Sequence, residues 1–229
     1  FGTIPTKTPG VHFTELLPRM AARTDRFTLI RSMQSSNDGH PGAGTVGLTG
    51  YEEAPDPVQP NFGSIVSKHT GQRGTLPPFF YVGRGIPRDL PRRIEGYGGG
   101  TLGKAYDPFL VSCSAAGEVG MSGLELLPDM TPLRMQDRKQ LISQLDVARR
   151  HLDAIGVQQW NHTNRAAYDL LTQPGASRAF DLTEEKQSTR DNYGRTTFGQ
   201  GCLLARRLVE DNVPFIKVNW SEYVEAFTH

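Results

Sequence analysis

The sequence predicts an α/β layered fold, and three observations lead there. Apolar runs of strand length, rich in β-branched and aromatic residues, recur along the chain: Phe27-Thr28-Leu29-Ile30-Arg31-Ser32-Met33, Leu76-Pro77-Pro78-Phe79-Phe80-Tyr81-Val82 and Val213-Pro214-Phe215-Ile216-Lys217-Val218-Asn219-Trp220. Between them lie segments with helix caps and apolar residues at helical spacing. The composition, 37% hydrophobic and 21% charged, is that of a chain able to bury a core, which argues against disorder. Strands interleaved with helices are best buried as a sheet covered by helical layers.

A chain of 229 residues suffices for one sizeable core. It shows no internal repeat and no linker, so residues 1–229 read as a single domain. The net charge of +1 (25 basic against 24 acidic residues) gives no reason to expect a nucleic-acid partner. No apolar run approaches the roughly 18 residues of a membrane span. The opening Phe1-Gly2-Thr3-Ile4-Pro5 has no initiator Met and no leader-like pattern, so a processed or interior segment is expected. Cys113 and Cys202 form no metal motif, and Cys202 reads as a structural thiol on a buried helix face.

Taken in order, Thr14-Glu15-Leu16-Leu17-Pro18-Arg19-Met20 predicts a short helix capped by Thr14, with Pro18 tolerable only in its first turn. The run 27–33 predicts a buried strand. A polar loop, 34–39, leads to His40-Pro41, where Pro41 suits the first helical turn and Gly50 a C-cap, framing a short helix over about 41–49. A further helix is expected over 61–69, ending at Gly71, and a strand over 76–82. Residues 83–123, rich in Gly and Pro, predict a long irregular stretch of functional or surface character. Thr131-Pro132 opens a helix with Leu133, Leu141, Leu145, Ala148 and Leu152 near one face, and 157–171 gives a second. A third long helix covers 195–212. There Phe198, Cys202, Ala205 and Val209 step by four, three and four residues, so they are expected to pack on the sheet. The strand 213–220 closes the pattern.

Three stretches carry a family resemblance. The first runs from Pro9-Gly10-Val11 to Glu15-Leu16-Leu17-Pro18, with Asp25-Arg26-Phe27 and on to Met33. The second is Ala166-Ala167-Tyr168-Asp169-Leu170-Leu171 with Ala179-Phe180-Asp181-Leu182. The third and most specific is Arg190-Asp191-Asn192-Tyr193-Gly194 through Phe198-Gly199-Gln200-Gly201-Cys202-Leu203-Leu204-Ala205-Arg206-Arg207-Leu208-Val209-Glu210. Together they resemble the bacterial domain-of-unknown-function family 1501, which is similar to sulfatases of the alkaline-phosphatase superfamily and is commonly exported by the twin-arginine route. The resemblance implies a mostly parallel central sheet flanked by helices, metals at the strand ends, and a periplasmic or otherwise exported protein. It also implies truncation at both ends: the family's Gly-Gly start with its acidic metal ligand and its Gly-Glu-Phe-Gly-Arg-like finish are not in this sequence.

Sulfatases of that superfamily carry a Cys or Ser nucleophile about nine residues before the Thr of a closing Leu-Thr-Gly. Here Leu48-Thr49-Gly50 matches the close, and the count reaches His40. Arg26-Phe27-Thr28 is similar to the Arg-Phe-Thr that precedes the sulfatase loop. A helix N-terminus suits an anion, because its free N–H groups and dipole point at the ligand, and Gly42 and Gly44 would let a sulfate or phosphate approach closely. His40 has three open chemical roles (covalent nucleophile, general acid/base, metal ligand) beside the plainer one of capping its helix. Asp38, two residues upstream, either orients the imidazole or forms an Asx turn with Gly39.

The departures are equally clear. With His at position 40 and Ala43 and Gly44 in place of the motif's Ser and Arg, a formylglycine mechanism cannot run. Family members commonly have Trp-Asp-Thr-His after the last strand; here Ala226-Phe227-Thr228-His229 keeps His229 as a metal-ligand candidate without the Asp. The resemblance therefore implies a hydrolase of small sulfate or phosphate esters that uses divalent metal ions only partly held by this chain. The alternative is a non-catalytic relative that keeps the fold as a binding or structural module.

Overall fold

A computed structural model describes residues 1–34, 39–51, 57–83, 95–121 and 178–220. The chain divides into two compact units, Phe1–Ser36 and Asn37–His229. In the first, β1 (Thr3–Pro5) and β2 (His12–Thr14) form an antiparallel ribbon with Ile4 opposite Phe13. The helix predicted from Thr14 shrinks to α1 (Pro18–Ala21), because Thr14 ends a strand and its carbonyl accepts from the Leu17 N–H at 3.0 Å. Pro18 sits in the first turn of α1, where its missing N–H has no partner to lose.

The strand predicted over 27–33 does not form. A 3₁₀ turn covers Thr24–Arg26, and the residues after it take no regular structure. Ile30 is 68% and Met33 80% exposed. Strand composition is not enough on its own: a strand needs a neighbour to satisfy its backbone, and among the described residues of this unit β1 and β2 pair only with each other.

The second unit is mixed α/β. Its first helix, α2 (His40–Thr49), ends as predicted at Gly50, which takes the left-handed conformation (φ 79°) that closes a helix at little steric cost. The next, α3 (Phe62–Thr70), is capped by the Asn61 side chain, which accepts from the Gly63 N–H at 2.8 Å, and it stops at Gly71. The sheet is built from β3 (Phe79–Val82), β4 (Phe109–Cys113), β5 (Val119–Gly120) and β6 (Phe215–Val218), in the order β5-β4-β3-β6. The central β3 is parallel to both β4 and β6, while β5 returns antiparallel to β4, so the sheet is mixed.

The strands β4 and β5 lie inside the stretch predicted to be irregular. Gly and Pro crowd that region, but the apolar run Phe109-Leu110-Val111 between the Asp107-Pro108 turn and the Ser114–Gly117 turn is what pairs with β3. The helices predicted over 131–152 and 157–171 lie outside the described residues.

Side chains alternate across β3, and the alternation divides the sheet into two faces. Phe80 and Val82 point to one side, where they join Val111, Cys113, Ala179, Phe180, Leu182, Leu203, Leu204 and Leu208 in a single apolar cluster. Phe79 and Tyr81 point to the other, toward α3: a methyl added at Gly63 would lie 2.5 Å from the Phe79 ring and 2.6 Å from that of Phe215.

Two further helices, α4 (Gln187–Tyr193) and α5 (Thr197–Glu210), precede β6. The stripe predicted to face the sheet is off by a step. Val209 is 61% exposed, and Phe198 is half-buried, stacked on Trp220 at 4.8 Å. The buried face is instead Thr197, Gln200, Gly201, Leu204 and Leu208, with Leu203 and Gly199 beside it. Two apolar stripes compete on this helix, and the glycines choose between them: at Gly201 the helix approaches so closely that an added methyl would lie 3.3 Å from Val82. Among the described residues no helix is long and apolar enough to cross a membrane.

Candidate functional site

His40 is the first helical residue of α2, with Gly39 as N-cap, so it stands where an anion-binding helix terminus was expected. Gly42 and Gly44 fall in the first two turns of the same helix and are half-buried. Asp38 and His229 lie outside the described residues. Of the predicted site residues the structure thus brings His40, Gly42 and Gly44 together on one helix.

The far end of α2 leads to a second grouping. The Thr45 hydroxyl accepts from the Glu95 N–H at 3.2 Å, and a methyl on Gly96 would strike the Thr49 side chain. The strap 95–98 is tied to α3 as well. The Asn61 side chain donates to the Gly96 carbonyl at 2.8 Å, and its own N–H donates to the Gly98 carbonyl at 2.9 Å. Asp107 accepts from the Gly99 N–H at 2.7 Å. Gly96 at φ 87° makes the bend, and these bonds fix the next residue, Tyr97.

Tyr97 lies over the α3 face of the sheet. Its ring meets that of Tyr81 edge-on at 5.6 Å. Lys217, the residue of β6 paired with Tyr81, directs its ammonium toward both: 4.6 Å from the Tyr97 ring centre and 5.6 Å from that of Tyr81. This is cation–π geometry, which partly replaces lost water but supplies no negative charge. No carboxylate pairs with Lys217 among the described residues, and burial lowers its pKa to about 8.

The Tyr81 hydroxyl is also buried and has no hydrogen-bond partner among the described residues. Burial first, and then the neighbouring Tyr97 phenol, pushes its ionisation well above the ordinary range, although the two hydroxyls do not meet in hydrogen-bond geometry. Burial raises Tyr97 too. A third polar atom on the α3 side, Ser64 Oγ, is fully buried and unpartnered. Native interiors leave few such groups without a stated reason.

Sequence reasoning passed over Lys217, Tyr81, Tyr97 and Ser64. One clue was available, a lone lysine inside the apolar run Phe215-Ile216-Lys217-Val218. Tyr97 was hidden by its glycine-rich surroundings, since nothing local says which residue a strap will present to a sheet.

The most specific of the three resembling stretches turns out to build structure. Arg190, buried on α4, donates through Nε to Gln200 Oε1 at 3.0 Å and through a terminal nitrogen to the Ala116 carbonyl. Gln200, fully buried on α5, donates back to the carbonyls of Arg190 (3.1 Å) and Gly194 (2.8 Å). Gly199 lets α5 pass against the backbone at Tyr193 and Gly194. Arg206 and Arg207 both reach Glu185, at 2.5 and 2.9 Å, and hold its carboxyl below the usual range. The thiols are structural: burial pushes Cys113 up to about 11 against the pull of Arg190, and raises Cys202 as well.

A family model for a protein of unknown function, DUF1501, matches residues 1–223. The chain belongs to the DUF1501 family. No curated protein and no solved structure is detectably similar to this DUF1501 chain. The Arg190–Gln200 network therefore gives a physical meaning to part of the DUF1501 pattern: it joins two helices and clamps the turn after β4.

Proposed function

We propose that this DUF1501 chain is part of an exported, sulfatase- or phosphatase-like hydrolase of small sulfate or phosphate esters. The observation that carries the reading is the course of α2. It opens at His40 and closes at a left-handed Gly50, which is the framing that the sulfatase resemblance gives to the nucleophile helix. Three parallel strands in the same unit supply the kind of sheet on which α/β enzymes place ligands at the carboxyl ends.

In this reading His40 acts on the ester as nucleophile or proton donor, or joins His229 as a metal ligand. Asp38 orients the imidazole. Gly42 and Gly44 leave room for the anion at the helix start. Imidazole and carboxylate donors suit a borderline divalent ion such as zinc. Among the described residues no group of three or more His, Cys, Asp or Glu gathers; the metal-ligand candidates of this reading are His40 and His229. Bound metal would stabilise the charge developing on the leaving oxygen.

A second reading, a non-catalytic relative, is favoured by the substitutions themselves: His40 for a hydroxyl or thiol, and Ala226-Phe227 where an Asp is expected before Thr228-His229. Assay of purified full-length protein on aryl sulfates and aryl phosphates, with and without added zinc, manganese or calcium, decides between them. Metal-dependent turnover that His40→Ala abolishes while the circular dichroism is unchanged supports the hydrolase. Turnover that survives His40→Ala removes His40 from the chemistry, and no turnover with any metal favours the second reading.

A further inference from the structure

On the α3 face of the sheet a half-buried ammonium has no carboxylate beside it and two buried hydroxyls have no hydrogen-bond partner among the described residues, while Arg190 and Gln200 on the α5 face complete one another. The Lys217 ammonium faces the rings of both Tyr81 and Tyr97, with no carboxylate beside it among the described residues. The Tyr81 hydroxyl is buried and unpartnered. Ser64 Oγ, on the helix that covers this face, is in the same condition. Leaving one buried hydroxyl unmade is costly; leaving that of Tyr81 unmade on the face where the Lys217 ammonium has no counter-charge calls for a ligand that completes both.

The surroundings are built rather than loose. Asn61, 2% exposed, uses its side-chain amide and its backbone N–H to fix the strap on both sides of Tyr97. Tyr97 is thereby held over Lys217 in advance of any ligand, so little ordering is left to be done on binding. We propose that Lys217, Tyr81 and Tyr97 form a binding site for a small oxyanion. The ammonium neutralises the charge, the Tyr81 hydroxyl donates to one of its oxygens, and Tyr97 walls the site. Tyrosine suits this donor role because its hydroxyl keeps its proton in so buried a place. The site stands on the geometry of the sheet and does not depend on ester hydrolysis, so binding without turnover is enough to support it.

The test uses the full chain at pH 7. Inorganic phosphate, inorganic sulfate and phenyl phosphate are titrated against chloride at matched ionic strength, with heat of binding and thermal midpoint as readouts. Saturable binding is expected for at least one of the three. Preference for the free ions marks a free-anion site; preference for phenyl phosphate marks a group carried on an organic molecule. Lys217→Met should weaken binding at least about tenfold, and Tyr81→Phe, which only removes the unpartnered hydroxyl, several-fold. Lys104→Met, at an exposed position, should change nothing. Absence of saturable binding by the unmodified chain overturns the proposal. So does equal binding by Lys217→Met. Should Lys217→Met fail to fold by circular dichroism, Tyr81→Phe decides alone, and unchanged affinity in it overturns the proposal.

Discussion

The two faces of the central sheet are covered in opposite ways. On one, α5 lies against Phe80, Val82 and Val111, with Leu203, Leu204 and Leu208 at or near zero exposure. Its buried polar side chains, Arg190 and Gln200, satisfy one another and the carbonyls of Ala116 and Gly194. On the other, α3 lies against Phe79 and Phe215, Tyr97 lies against Tyr81 and Lys217, and polar groups are left over among the described residues. The same four residues of β3 serve both, because alternate side chains look opposite ways. A sheet can therefore put its stability on one side and keep the other for binding.

That contrast can be broken by substitution. Leu204→Ala on the closed face should lower the unfolding free energy by about 2–5 kcal/mol, through lost transfer energy and the cavity left behind. A urea titration giving less than about 1 kcal/mol would remove this face as the core. Gly63→Ala on the other face should cost about 1–3 kcal/mol, because the new methyl meets the Phe79 and Phe215 rings at 2.5 and 2.6 Å. A neutral result would mean that α3 stands off the sheet.

Lys217→Met should act in the opposite sense, raising stability at pH 7 by about 1 kcal/mol, since a partly wet ammonium is being removed from an apolar setting. Its pH signature is specific. The folded-state pKa of about 8 lies below the ordinary 10.5, so between those values the unfolded chain binds more protons, and stability rises with pH across that window. Below about 8 both states hold the proton and this residue adds no pH dependence. Denaturation at pH 7 and 9.5 should show the rise in the unmodified chain and its loss in Lys217→Met; an identical profile in both would deny the burial of the charge. Smallest of all, Lys7→Met should leave the urea midpoint almost unmoved, because the Lys7–Asp25 pair at 3.1 Å is solvated on both sides.

Much of the frame was legible in the sequence where local chemistry decides. Asn61 and Gly71 bound α3, Gly50 closes α2, and the runs 79–82 and 215–218 are strands, because caps and short apolar runs act over a few residues. Three errors share one cause, dependence on distant partners. Residues 27–33 have strand composition but no neighbouring strand; Phe109–Cys113 becomes a strand because β3 is there to receive it. On α5 the period was right and the phase wrong, since the close approach at Gly201 outweighs the apolar stripe through Phe198 and Val209. His40 could be placed because a helix start has a local signature. The Tyr81–Tyr97–Lys217 grouping could not, because it joins positions on two strands and a strap that meet only after folding.

Asn61 ties two events into one. Its carboxamide oxygen starts a helix at Gly63, while its nitrogen holds a carbonyl 35 residues further along the chain. Displacing the strap at Tyr97 would tug that nitrogen and loosen the oxygen's grip on α3. The Gly63 amide is thus a remote reporter: slower hydrogen exchange there when an anion is added would register events beneath Tyr97, with no probe placed on the ring itself.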